Sequence, residues 1–386
     1  MAKKPLNIAL IGCSFMGKAH SNAYRQVDKF FNMSVEPVMK VICGISDQEA
    51  QGAAAKYGWQ EASSNWQEVI NRPDIDIVDI TTPNNVHAEM AIAAAKAGKH
   101  VFCEKPLAST LPDARAMYAA AVEAGIIHGV SYSYRRCPAV AFAKQLISEG
   151  RIGKIYHFRG TYLQDWIVDP KFPLVWRLQK EVAGSGAHGD LAAHTIDAAR
   201  YLVGEFTEVS GHLETFIKQR PKLAAIDDRL GGTASEEMGD VTVDDASISL
   251  VRFDNGAIGT IEASRFCLGR KNYNRWEING SKGSIAFNVE RMNELEVYFE
   301  DDDKDVKGFR TVQVTDSVHP YTDNYWPVGH IIGYEHSFIN QAYDFIECVA
   351  AGKQMDPNWL DGVKNQAILD AIERSSETRQ WTTPEV

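Results

Sequence analysis

Three short stretches hold residue types that can do chemistry. "GCSFMG" sets Gly12 and Gly17 around Ser14, "EKP" puts Lys105 between Glu104 and Pro106, and "GDLAAHTID" spaces Asp190, His194 and Asp197 four and then three residues apart. A glycine turn that opens a helix can cradle a pyrophosphate. Gly12 can make the tight turn, Gly17 can let the helix pack on its strand, and Ser14 is a small hydroxyl-bearing residue where a middle glycine would allow close backbone approach. The 190/194/197 spacing puts three side chains on one helical face, where a carboxylate can fix an imidazole's tautomer and raise its basicity. A lysine at a strand end, turned by the proline after it, can bring an ammonium to a reacting oxygen. Each feature also has a plain structural alternative: an ordinary strand-to-helix turn, a surface charge, a packed histidine. His188, Asp190 and His194 together make an imidazole and carboxylate cluster, but 188 and 190 point to different faces of a helix, and no metal is expected.

The elements that must position these residues read as alternating strand and helix over residues 5–134. "LNIALIG", "MKVICGIS", "DIDIVDITTP", "HVFCEKP" and "IIHGVSYSY" have strand length and apolar character, and small-residue helical stretches separate them. Such alternation predicts a doubly wound parallel sheet whose ligand crevice lies at the carboxyl ends of its strands. Gly12, Thr82, Pro83, Glu104, Lys105 and Tyr134 all fall at those ends. From residue 135 onward the pattern changes to hairpins, with turns at "DNG" and "NGSKG" between strand-like runs, and helical stretches around residue 194 and near the carboxyl terminus. The expected division is a dinucleotide-binding domain over 1–134 and a substrate-binding and oligomerisation domain over 135–386. The acidic "EDDDKDVKG" reads as a solvated loop.

Composition narrows the function classes. A chain of 386 residues suits two domains, and 45% hydrophobic with 24% charged residues is ordinary for a globular protein. Forty basic against 51 acidic residues give a net charge of −11 with no dense basic run, so nucleic acid is not an expected partner. Six scattered cysteines without a C-x-x-C pair suggest reduced thiols, and no stretch suits a signal peptide or a bilayer span; the expected location is cytoplasmic.

Taken together, "GCSFMG", "TTPNNVH", "EKP" and "GDLAAHTID" resemble the Gfo/Idh/MocA family of NAD(P)-dependent sugar and polyol oxidoreductases over nearly the whole chain. The resemblance implies an N-terminal Rossmann domain and a C-terminal α/β domain with a large, mostly antiparallel open sheet. It implies cofactor contacts at Gly12, Ser14, Phe15, Met16, Ser46, Asp47, Thr82, Pro83, Asn84, His87, Glu104 and Lys105. Oxidising a secondary alcohol with a nicotinamide requires a group to take the hydroxyl proton and groups to stabilise the developing alkoxide. In that context Lys105 is the clamp or proton-transfer partner of the reacting oxygen, His194 the general acid/base, Asp190 a substrate contact or orienting carboxylate, and Asp197 a more distant support.

Cofactor choice rests on the end of the second strand, where Rossmann domains selective for NAD place an acid against the ribose hydroxyls. Gly44 stands there instead, followed by Ser46 and Asp47, and no Arg or Lys lies between 44 and 50 to pair with a 2′-phosphate. NAD is favoured and NADP stays open. For the substrate, "YSYRRCPA", "GTYLQDW" and "LVWRLQK" mix aromatic faces with polar forks, as carbohydrate pockets do. They resemble the branch of the family that acts on 1,6-anhydrosugars, which implies substrate contacts at Tyr134, Gln164 and Arg177 beside Lys105, Asp190 and His194. An inositol dehydrogenase and an NAD-dependent glycosidase are the alternatives. A homodimer or homotetramer is implied.

Overall fold

Why β1 (Pro5–Ile11) is a central strand is visible in its side chains: Ile8, Ala9 and Leu10 are wholly buried, as expected of a parallel strand covered on both faces. Complete burial of an Ile or Leu contributes about 1.5–3 kcal/mol, an upper figure. The structure, a computed structural model, describes residues 3–226 and 231–386. Of these, 3–133 and 335–366 form one unit, and 134–226, 231–334 and 367–386 a second.

In the first unit, β1 is followed by α1 (Phe15–Phe30), β2 (Glu36–Cys43), α2 (Asp47–Tyr57), β3 (Glu61–Ser63), α3 (Trp66–Asn71), β4 (Ile77–Ile80), α4 (His87–Lys96), β5 (His100–Cys103), α5 (Leu111–Ala124) and β6 (His128–Val130). The strands are parallel in the order β3-β2-β1-β4-β5-β6, so the order reverses between β1 and β4, the place where an open α/β sheet opens a ligand crevice. Local sequence sets the helix ends. Ser46 caps α2 by accepting from Glu49 N, Thr110 caps α5 by accepting from Asp113 N, and Gly58 and Gly125 end those helices in left-handed conformation.

A contiguous two-domain reading has no place for the return of residues 335–366 to this unit. The reason is an exposed edge. Strand β6 pairs with β5 on one side only. On the other, Val130 N donates to Pro357 O at 3.3 Å and His128 N to Gln354 Oε1 at 3.2 Å, while the Trp359 indole donates to Gly129 O at 3.0 Å. The segment between α9 (Tyr334–Ala351) and α10 (Trp359–Thr378) therefore satisfies backbone groups that a bare edge would leave to solvent.

The second unit carries α6 (Pro138–Ser148), α7 (Lys180–Ala183), α8 (Ala193–Leu202) and the strands β7 (Ile155–Leu163), β8 (Phe206–Glu214), β9 (Gln219–Ile226), β10 (Gly232–Asp240), β11 (Ala246–Phe253), β12 (Ile258–Ser264), β13 (Tyr273–Gly280), β14 (Gly283–Asn288), β15 (Glu294–Phe299) and β16 (Arg310–Gln313). Eight of these form a sheet in the order β16-β15-β14-β13-β7-β12-β11-β8, with β7 and β12 parallel and the other neighbours antiparallel; β9 and β10 pair separately. One face is packed: Phe158, Tyr162, Ile261, Trp276 and Ile278 share a core with Ala193 and Ile196 of α8 and Val140 and Ala143 of α6. The other face is open, and the alternation along β11 leaves Ile248 and Leu250 exposed. The large, mostly antiparallel sheet and the Rossmann sheet are the expected architecture. The acidic stretch 300–308 is a connection between β15 and β16 without regular structure.

Candidate functional site

The turn after β1 is built for close approach. Gly12 has φ +112°, and a Cβ there would lie 2.7 Å from Thr81 Oγ1 and 2.9 Å from the Thr81 backbone; a Cβ on Gly17 would lie 2.1 Å from Gly12 O. Thr81, at the end of β4, locks the turn by placing its hydroxyl 3.0 Å from Ile11 O and 3.1 Å from Gly12 O. Ser14 is the N-cap of α1 but its side chain makes no capping hydrogen bond, and the helix has no acid in its first turn. The first amides and the positive helix end are thus left to an anion, which fits the pyrophosphate of a dinucleotide. Phe15 and Met16 come next on the first turn, Phe15 exposed and Met16 half-buried. Gly17→Ala is expected to abolish measurable NADH binding in a fluorescence titration, because backbone rather than a flexible side chain must move to admit the methyl group.

At the end of β2 the residues take up roles of their own. Ser46 Oγ is the α2 cap, and Asp47 Oδ1 accepts from Ser64 Oγ at 2.5 Å. Glu49, which sequence reading passed over, accepts from Ile45 N at 2.8 Å and stands 2.9 Å from where a Gly44 Cβ would be. Glycine at 44 thus gives room to a carboxylate one helical turn further on. Burial and then the Glu49 charge push the thiols of Cys13 and Cys43 up to about 12 and about 11, so both stay protonated.

Beyond β4, Thr82, Pro83 and Asn84 form the turn leading into α4, with Thr82 and Asn84 half-buried and Pro83 exposed. His87 goes inward. It is completely buried, with Nε2 2.9 Å from Thr82 O and Nδ1 3.1 Å from Pro106 O. Burial pushes its pKa down, and the ring sits between the "TTP" turn and the "EKP" turn, where a single N–H can bond one carbonyl or the other. That placement makes His87 a brace and takes it away from direct contact with a nucleotide. Glu104 is likewise turned in, its Oε1 2.9 Å from His20 Nε2 and its Oε2 accepting from Lys105 N at 3.1 Å. Lys105 itself is half-buried at the carboxyl end of β5.

In the second unit the sequence "HGDLA" forms a π-helical turn, His188–Ala192, that runs into α8. Asp244 pins its start, accepting from Gly186 N and His188 N at 2.7 Å each. The wider turn changes the angular step between Asp190 and the residues of α8 that follow it. Asp190 pairs with Arg265, Nη2 to Oδ2 at 2.7 Å. Asp197 is buried and takes two hydrogen bonds from Arg135, at 2.9 Å from Nε and 2.6 Å from Nη2. His194 lies against tyrosines, its ring centroid 4.8 Å from Tyr134 and 5.8 Å from Tyr162. His188 has Nδ1 3.0 Å from Ser247 Oγ and Nε2 3.0 Å from Leu369 O.

Around His194 runs a net of hydroxyls and amides. The Tyr134 and Tyr162 hydroxyls are 3.0 Å apart, Tyr162 OH donates to Asn272 Oδ1 at 2.6 Å, and Gln164 Nε2 donates to the same oxygen at 3.1 Å. The Trp166 indole in turn holds Gln164 Oε1 at 2.9 Å. Burial raises both tyrosines, Tyr134 to about 12, so these hydroxyls keep their protons. Arg177 stacks on Trp176 at 4.3 Å. Burial lowers its pKa, with the Asp190 charge opposing and Arg265 adding. Arg265, 1% exposed, is therefore the cation that holds Asp190, and Asn272 is the hub of the net; sequence reading found neither. Their partners are 75 and 108 to 138 residues away. Asn272→Leu is expected to raise KM for the preferred sugar by about tenfold with a smaller change in kcat, since two tyrosine hydroxyls and Gln164 lose their common partner; steady-state kinetics checks it.

Comparison with known proteins agrees with both units. Residues 6–132 match the model of an oxidoreductase family with an NAD-binding Rossmann fold, and residues 140–286 match the GFO/IDH/MocA C-terminal domain. The levoglucosan dehydrogenase of Pseudarthrobacter phenanthrenivorans is 49% identical over 380 residues, 97% of either chain. The chain belongs to the Gfo/Idh/MocA oxidoreductase family. Within that family it is also 32% identical over 265 residues to the scyllo-inositol 2-dehydrogenase (NAD(+)) of Bacillus subtilis, covering 68% of this chain and 70% of that one. A solved levoglucosan dehydrogenase in complex with NADH and levoglucosan superposes with TM-score 0.94 at 48% identity, covering 99% of this chain and all of that one. As a family member the chain is an oxidoreductase with an NAD-binding Rossmann domain. Among the described residues no helix is long and apolar enough to cross a membrane.

Proposed function

We propose that this protein oxidises a ring hydroxyl of levoglucosan or a closely similar pyranose to a ketone, using NAD. The observation that carries the reading is the half-buried net of Tyr134, Tyr162, Gln164 and Asn272 beside His194: directional hydroxyls and amides on aromatic faces are what a rigid polyol ring requires. The 49% identical levoglucosan dehydrogenase supports the same substrate class. The preference for NAD rests on the carboxylates Asp47 and Glu49 after β2, without a basic residue among 44–50 to balance a 2′-phosphate. When bound, NAD supplies the hydride acceptor. Gly12, Ser14, Phe15 and Met16, with Thr82, Pro83 and Asn84, would hold it.

The division of labour gives the nucleotide to the first unit, 3–133 with 335–366, and the sugar to the second. Lys105 stabilises the reacting oxygen as its proton leaves, and His194 takes or returns the proton as general acid/base. Asp190, held by Arg265, receives a sugar hydroxyl or orients the histidine; Tyr134, Gln164 and Arg177 bind the remaining hydroxyls. Assay of levoglucosan, glucose and scyllo- and myo-inositol with NAD and with NADP tests the reading. Levoglucosan with NAD is expected to give the highest kcat/KM, and an inositol giving the highest value refutes it.

Two further readings accompany this one. The exposed Ile248, Leu250 and Ile258 on the open sheet face support a homodimer or homotetramer, which light scattering behind size exclusion decides. The six cysteines are all free thiols, which supports a cytoplasmic location.

A further inference from the structure

The first unit buries a titratable cluster that the chemistry above leaves unused. His20, on α1, is 3% exposed; its Nδ1 lies 2.7 Å from Asp79 Oδ2 on β4, and its Nε2 lies 2.9 Å from Glu104 Oε1 just beyond β5. Tyr24, one helical turn on, donates to the same Asp79 oxygen at 2.8 Å. Phe102 and Phe338 flank the imidazole with ring centroids at 5.9 and 5.5 Å. The other Glu104 oxygen accepts from Lys105 N at 3.1 Å, and Ser131, which receives a hydrogen bond from Gln341 at 2.9 Å, bonds the same carboxylate.

A neutral imidazole has one N–H, so between two carboxylates it would point a lone pair at an anionic oxygen. Both ring nitrogens can donate only as imidazolium. The cluster then holds two negative charges and one positive. Lys105 supplies the next positive charge that Glu104 feels. Burial works to lower His20, but the Asp79 charge and the hydrogen bonds that the ring donates to Asp79 and Glu104 outweigh it and push it up to about 10. Burial works to raise Glu104, and His20, Lys105 and Ser131 outweigh it and hold it below the usual carboxylate range. The Glu104 charge also acts on the Cys103 thiol and the His87 ring, and the Asp79 charge on Cys103. An apolar trio of the same volume would serve stability equally well, because burying ions costs roughly what their attraction returns.

We infer that His20, Asp79 and Glu104 are positioning residues for Lys105: the imidazolium fixes the Glu104 carboxylate, the carboxylate fixes the Lys105 N–H, and the excess negative charge sits beside the lysine ammonium. This rests on Lys105 acting at the reacting oxygen. The test measures kcat, KM and their pH dependence for the wild type, Glu104→Gln, Lys105→Met and the double variant, with NADH affinity by fluorescence. Glu104→Gln is expected to lower kcat on the order of tenfold to a hundredfold, the effect typical of an outer partner, and to move the alkaline limb of kcat while NADH affinity holds. In the Lys105→Met background the same change should have little further effect. A folded Glu104→Gln with wild-type kcat and an unmoved pH profile, beside an inactive Lys105→Met, overturns the inference and leaves the lysine assignment standing. A Lys105→Met with wild-type kcat ends the assignment itself. Nitrogen NMR of 15N-histidine-labelled wild type decides the case where Glu104→Gln does not fold. Both His20 ring nitrogens protonated at pH 8 supports the cluster, and a neutral ring overturns it.

His20's folded value lies above its unfolded one, so its contribution to stability is whole below about pH 6.5 and is lost as pH rises toward about 10. The wild-type melting temperature should fall across that window more steeply than that of His20→Gln.

Discussion

Lys105→Met is expected to lower kcat on levoglucosan, or on whichever pyranose proves the best substrate, by about 10³-fold, with NADH affinity changed little. Methionine keeps the unbranched stem and its apolar contacts but removes the ammonium, so the loss is one of charge stabilisation and proton transfer, effects worth about 10² to 10⁴ in rate. Loss confined to kcat identifies an interaction made in the transition state, whereas a rise in KM alone would mean that the lysine only binds sugar. Lys105→Arg is not expected to restore the rate, because a guanidinium cannot release its proton in this range and presents a planar fork in place of a compact charge. Steady-state kinetics with a parallel NADH titration reads all of this. Near wild-type turnover in Lys105→Met removes the residue from the chemistry.

How much of this was legible in the sequence depends on how local the determining contacts are. The glycine turn and the "TTP" and "EKP" strand ends are set within a few residues of themselves, so strand-helix alternation placed the parallel sheet and its carboxyl ends. Elements with little periodicity of their own went unread: β3 has three residues and α3 six, and the ribbon of β9 and β10 alternates poorly. The return of 335–366 stems from the need of β6 for edge partners more than 220 residues away, which no window of sequence displays. In the site, the aromatic and polar mixture of "YSY" and "GTYLQDW" signalled a polyol surface, but its hub, Asn272, lies in an undistinguished loop. Helical spacing proposes one face for Asp190, His194 and Asp197; the π-turn over 188–192, ahead of α8, has no signature of its own in that spacing.

Asp197, expected from the sequence as a more distant support, pairs with Arg135 in the structure, and Asp197→Ala tells whether it serves the fold or the histidine. If its carboxylate oriented His194, replacing it would collapse kcat and leave the fold intact. In the structure it forms a two-point pair with Arg135, whose side chain is 3% exposed and whose guanidinium also stacks on Tyr201 at 4.7 Å. Removing the carboxylate takes two hydrogen bonds and the paired charge from a buried guanidinium, which costs about 3–5 kcal/mol, far more than the pair's net contribution. For a unit of this size that corresponds to a fall in melting temperature on the order of 10 °C. The companion variant, Arg135→Met with Asp197→Leu, removes both charges at similar volume and should recover most of that loss. Well below its transition, Asp197→Ala is expected to keep turnover within severalfold of wild type, with the shift felt in KM through Tyr134, the neighbour of Arg135 in the chain and of His194 in space. Calorimetry paired with kinetics on the three proteins decides it: an unchanged melting temperature with a collapsed kcat would make Asp197 an orienting group for the histidine instead.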